Sequence, residues 1–102
     1  MGIKYPRVIV KSLLGLYAVL MDIIERELLH RIITDRPFAE YITQRIDIGD
    51  FDDEVANRIY DGIVDLLCQE RQISFAVLLE YFNGNELIAK ELNNLAKEGT
   101  NP

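Results

Sequence analysis

The chain has 102 residues, of which 49% are hydrophobic and 27% charged, a balance that builds one folded core and excludes a disordered polymer. Its net charge of −6 lies in one half: residues 1–51 hold seven basic and seven acidic side chains, residues 52–102 four and ten. A duplex-binding protein presents a basic face that displaces phosphate counterions, and the one acid-free basic stretch, Lys4, Arg7 and Lys11, is too small for that; a lone cysteine, Cys68, excludes an internal disulfide framework.

With three prolines, six glycines and almost no alternating apolar–polar runs, the spacing predicts helices throughout. The first is expected from Pro6, where a missing N–H costs nothing, to about Ile33. Between Val8 and Ile33, seventeen of twenty-six residues are apolar, whereas a surface helix buries about three or four positions in seven. This helix is therefore expected to be mostly buried and enclosed from several sides. Lys11, Gly15, Ala18, Asp22 and Glu25/Arg26 form a narrow stripe that faces solvent or a close neighbour, and everything else on the segment reads as core.

Twenty-eight helical residues span about 42 Å, more than the roughly 34 Å diameter of a compact domain of this size. Either the helix bends near Gly15 or a second copy covers the excess. The second alternative makes the chain a homodimer, with Leu13, Leu16, Tyr17 and Leu20 as the self-association residues. The apolar segment is bounded by Lys11 and Asp22, falls short of a bilayer span and lacks a small-residue cleavage site. No membrane partner and a cytoplasmic location are expected.

Thr34-Asp35-Arg36-Pro37 breaks the chain, with Asp35 as N-cap and Pro37 in the first turn of a second helix, PFAEYITQRI. That helix offers Phe38, Tyr41, Ile42 and Ile46 to the core. Asp47-Ile48-Gly49-Asp50 forms the next turn, and Asp50 with Asp53 resembles a capping box. A third helix then runs to about Arg71, with Val55, Ile59, Ile63 and Leu66/Leu67 inside and Asp52, Asp53, Arg58, Asp61, Asp65 and Gln69 outside. Ser74 caps a fourth helix, FAVLLEYFN, which Gly84 ends. Asn85 caps a fifth, ELIAKELNNLAKE, whose apolar edge is Leu87/Ile88, Leu92 and Leu95. Residues 1–98 thus read as a single helical domain and 99–102 as a disordered tail. The fold class is all-α, a four- to five-helix bundle.

No residue pattern demands a cofactor or a catalytic role. Glu27-Leu28-Leu29-His30 has the E-x-x-H spacing of di-iron bundles, but His30 is the only histidine, and Glu80 is the one acid set in an apolar run that could join it. An ordinary charged helix end explains the pair better, so no metal is expected. Asp47, Asp50, Asp52, Asp53 and Glu54 do not fit an EF-hand frame, which lacks its glycine when started from Asp50 and misplaces it when started from Asp47. Helix capping explains most of these acids; Asp50, Asp52 and Asp53 are the candidate dock for a basic protein partner.

Residues 74–98 allow a helix-turn-helix reading dependent on Lys90 and Lys97, but no basic recognition helix follows, so nucleic acid is not the expected partner. Cys68 reads as a small packed side chain. Tyr5, Tyr41, Tyr60 and Tyr81 sit between apolar and polar positions, as residues of a core rim or of an interface do. The expected function is a non-catalytic protein-interaction module: an adaptor, assembly chaperone, inhibitor or antitoxin-like partner. The alternatives are a DNA-binding regulator and a metal-binding bundle.

Overall fold

The computed structural model describes residues 23–98. Within them every regular element is a helix, and the helices form a bundle. They are α1 (residues 23–34), α2 (Arg36–Ile42), α3 (Glu54–Cys68), α4 (Phe75–Tyr81) and α5 (Glu86–Glu98). The expected helix from residue 6 to residue 22, the stripe from Lys11 to Asp22 and the tail at 99–102 lie outside the described residues.

Short polar side chains set the helix starts. Asp35, the single non-helical residue between α1 and α2, accepts the Phe38 N–H on its carboxylate at 3.1 Å. Ser74 does the same for Val77 at 3.1 Å, and Asn85 for Ile88 at 3.1 Å. Each cap satisfies an N–H that the first helical turn leaves without a partner. The start of α3 differs from expectation. Its cap is Asp53, whose carboxylate accepts the Ala56 N–H at 2.9 Å. Asp50 instead closes the preceding turn, accepting the Asp47 N–H at 2.8 Å while its own N–H donates to the Asp47 carbonyl at 3.1 Å. Gly49 supplies the positive φ of +101° which that turn requires.

Two helices stop earlier than their patterns predict. α2 ends at Ile42, where side chains join the backbone at the last carbonyls: the Thr43 hydroxyl donates to Ala39, which also accepts the Thr43 N–H at 3.0 Å, and the Arg45 guanidinium donates to Tyr41, both side-chain bonds at 2.8 Å. Arg45 also stacks over the Tyr41 ring, 3.6 Å from its centroid, and Tyr41 is exposed rather than in the core.

α3 ends at Cys68 in a Schellman motif, with the Arg71 N–H donating to Leu66 and the Glu70 N–H to Leu67, at 2.9 and 3.0 Å. Glu70 therefore holds a left-handed φ of +56°, a conformation that costs an L-residue roughly 1–2 kcal/mol and glycine almost nothing. Glu70→Gly should stabilise the protein by about 1 kcal/mol, read as a raised urea midpoint with unchanged slope. A lowered midpoint would show that the Glu70 side chain matters more than its backbone.

The core draws on every helix. Leu29, Ile32 and Ile33 from α1, Ala39 from α2, and Ile59, Tyr60, Ile63 and Leu66 from α3 are buried together with Leu78 of α4 and Ile88, Leu92 and Leu95 of α5. The helical spacings behind the predicted α3 and α5 stripes are those of the observed faces, with two corrections. Tyr60 is fully buried rather than at the rim, with its ring 5.1 Å from that of Phe51. Leu87, assigned to the apolar edge of α5, is 73% exposed.

The outer end of α1 also departs from expectation. Ile23 and Ile24 are 49% and 53% exposed, whereas Glu25 is buried. The Glu25 carboxylate accepts the backbone N–H groups of Asp52 at 2.7 Å and Asp53 at 3.3 Å, and Arg26 pairs with Glu91 of α5. These polar contacts turn this end of the helix so that its acid and base face the bundle and its isoleucines face out.

Candidate functional site

The residues proposed for self-association, Leu13, Leu16, Tyr17 and Leu20, lie outside the described residues. What adjoins them is the first described turn of α1, where Ile23 and Ile24 are half exposed. Between one and three turns further on, Leu29, Ile32 and Ile33 are at most 4% exposed. The transition from covered to uncovered apolar side chains thus falls close to Glu25.

Asp50, Asp52 and Asp53 are exposed, and each has a structural task. Asp50 closes the turn, Asp53 caps α3, and the Asp52 backbone is held by Glu25. Asn57 binds the same segment from within α3. Its Oδ1 accepts N–H groups from Gly49 and Phe51, each at 3.1 Å, while its Nδ2 donates to the Phe51 carbonyl at 2.6 Å. The acidic segment is therefore a braced loop, held through the Asp50 and Asp53 carboxylates and the Asp52 backbone.

Glu25 was legible only as part of a polar stripe, although it joins α1 to this loop. Hydrogen bonds to a charged group contribute about 1.5–3 kcal/mol. Glu25→Ala should lower unfolding free energy by about that amount at neutral pH, measured by urea denaturation. Glu25→Gln, which keeps one acceptor oxygen, should fall between.

The rarer sequence readings find their residues apart. Glu27 and Glu80 are exposed, and half-buried His30 packs its ring 5.8 Å from that of Phe75. Among the described residues no group of three or more histidine, cysteine, aspartate or glutamate side chains is arranged to hold a metal ion. Cys68 is exposed at the last position of α3, not packed, because the helix ends there and the chain turns away. Tyr81 is partly exposed, and its hydroxyl donates to Asp65 at 2.7 Å. That hydrogen bond, with burial and the Asp65 and Asp61 charges adding, raises the phenol above its ordinary pKa. Lys90 and Lys97 both belong to α5, and Lys90 is exposed beside Glu91.

One surface feature escapes the sequence reading. Leu87 and Val55 together line two shallow depressions, of about 180 and 240 Å³. Glu54 and Arg58 border the smaller, and Arg26, Asp53, Lys90 and Glu91 the larger. A third depression of about 130 Å³ lies by Glu25, Leu28 and Phe51. All three fall below the roughly 300 Å³ at which small-molecule sites begin, so their geometry suits protruding side chains better than enclosed ligands. No helix among the described residues is long and apolar enough to cross a membrane. Compared with family profiles, curated proteins and solved structures, the chain matches none.

Proposed function

We propose that the chain is a non-catalytic protein-interaction module that pairs with a second copy of itself through Leu13, Leu16, Tyr17 and Leu20. The observation that supports this is the half exposure of Ile23 and Ile24 in the first described turn of α1, close after a sequence in which residues 13–21 contain one non-apolar position, Gly15. Burying a leucine-sized side chain is worth about 1.5–3 kcal/mol, so a run of such residues is a strong driving force for association. The acids at Asp50, Asp52 and Asp53 give the module a margin that steers a basic partner. An adaptor, assembly chaperone, inhibitor or antitoxin-like role fits such a surface.

Sedimentation over a wide concentration range tests this reading. The expected mass is twice 11.8 kDa, dropping to the single value in Leu16→Asp at unchanged helical content. A wild-type chain that stays at 11.8 kDa at every concentration removes the proposal.

A further inference from the structure

Independently of self-association, we infer that Asn83 is a site of spontaneous covalent modification. The backbone nitrogen of Gly84 displaces the Asn83 side-chain amide and leaves aspartate or isoaspartate in the connection between α4 and α5. Such a displacement needs a side-chain carbonyl open to the next residue's nitrogen, an N–H there that is free to lose its proton, and no side chain in the way of ring closure.

Asn83-Gly84 meets each requirement. Both residues are exposed. The Asn85 N–H donates to the Phe82 carbonyl at 3.0 Å, so Asn83 and Gly84 are the central residues of a turn. Gly84 has a φ of +94° there, and its own N–H donates to no acceptor among the described residues. A Cβ built on Gly84 would meet no atom within 4 Å, so the ring has room to form.

The fold withholds the same chemistry from comparable positions. Asp61 is also followed by a glycine, but both lie within α3, where Gly62 is buried and its N–H belongs to the helical ladder. Asn57 lies in the same helix, with its side-chain amide held by Gly49 and Phe51. Asn93 and Asn94 precede helical N–H groups of α5. Asn85 gives its side-chain oxygen to the Ile88 N–H and is followed by Glu86 rather than glycine. Asn101 precedes a proline, which has no N–H.

The step balances without any redox partner. The Gly84 nitrogen gives its proton to solvent base and bonds to Asn83 Cγ, while the Cγ–Nδ2 bond breaks and Nδ2 takes up a proton to leave as ammonia. Water then opens the cyclic imide. Attack at Cγ gives aspartate; attack at the main-chain carbonyl gives isoaspartate, whose main chain runs through Cβ and Cγ. That extra methylene falls between two anchors. Phe82 closes α4, its N–H donating to the Leu78 carbonyl at 2.9 Å, and Asn85 caps α5. Isoaspartate therefore spreads the turn that seats both helices.

The test incubates the full folded chain in mildly alkaline buffer and maps its peptides by mass spectrometry. Synthetic peptides with asparagine, aspartate or isoaspartate at position 83 serve as standards. The expected result is release of ammonia and a net charge one unit more negative than −6, with conversion at Asn83 ahead of every other asparagine and none at Asp61. In urea, isomerisation at Asp61 should appear as well, because α3 no longer holds the Gly62 N–H. Asn83→Gln, whose amide sits one methylene further from the Gly84 nitrogen, should lose the charge shift. Conversion first at another asparagine, or an Asn83 that stays intact in the folded chain while it converts in urea, overturns the proposal. The isolated isoaspartate form should unfold at a lower urea midpoint than Asn83→Asp; equal midpoints would overturn the effect on the turn.

Discussion

Tyr60→Ala should lower the unfolding free energy by about 3–5 kcal/mol, the range for removing a large aromatic side chain from a packed core. For a domain this small, that is a large part of a total that is usually about 5–15 kcal/mol. Tyr60 is fully buried, packs its ring against Phe51, and donates its hydroxyl to the Ile46 carbonyl at 2.5 Å. It thereby ties α3 to the chain just beyond α2.

Tyr60→Phe isolates the polar part and should cost about 1–2 kcal/mol at neutral pH. Burial, with the Asp47 and Asp50 carboxylates adding, raises the Tyr60 phenol above its ordinary value near 10. The unfolded chain therefore releases this proton before the folded one does. The hydroxyl's contribution is fully present below pH 10 and is lost as pH rises through the folded-state pKa. Urea denaturation of wild type and Tyr60→Phe at pH 8 and pH 11 should show the gap between them shrinking at the higher pH. A constant gap would mean that the hydroxyl titrates alike in both states.

Gly62→Ala should destabilise the protein by up to about 2 kcal/mol, even though the helix propensity of alanine by itself favours the change by about 1 kcal/mol. A Cβ at Gly62 would stand 2.6 Å from Phe82 Cζ, 2.8 Å from Phe82 Cε2 and 3.1 Å from Tyr81 Cε1. The Phe82 ring has little room to yield. Its backbone caps α4, its ring meets Tyr81 edge-on at 4.8 Å, and Tyr81 is held by Asp65. Overpacking of this kind typically costs about 1–3 kcal/mol. Thermal unfolding of Gly62→Ala, Phe82→Leu and the double variant forms a cycle in which the smaller side chain at 82 recovers part of the loss. A Gly62→Ala protein more stable than wild type would show that α3 and α4 separate freely.

The parts of this fold legible from sequence are those governed by local chemistry. Asp35, Ser74 and Asn85 cap helices as their side-chain types imply, and Ile59, Ile63, Leu66, Ile88, Leu92 and Leu95 are buried at helical spacing. Ambiguity arose where two residues of one type competed. Asp50 and Asp53 are both capable caps, and only the path of the loop decides that Asp53 starts the helix.

The end of α3 was obscured for a different reason. Its left-handed position is occupied by Glu70 instead of glycine, so composition carried no stop signal. Gly62, Tyr60 and Glu25 owe their roles to residues 14 to 28 positions away in sequence, and no local pattern reports such partners. Leu87 shows the converse: periodicity assigns it to the apolar edge, yet it lines only shallow depressions beside α3 and is left 73% exposed.

Glu25 and Arg26 are consecutive, yet one grips the loop ahead of α3 and the other grips α5, 65 positions further on. That single turn works as a rivet through segments the chain lays down far apart. Opening the first helix therefore requires releasing both the loop ahead of α3 and α5, and loss of either grip should lower the stability of elements far from it in sequence.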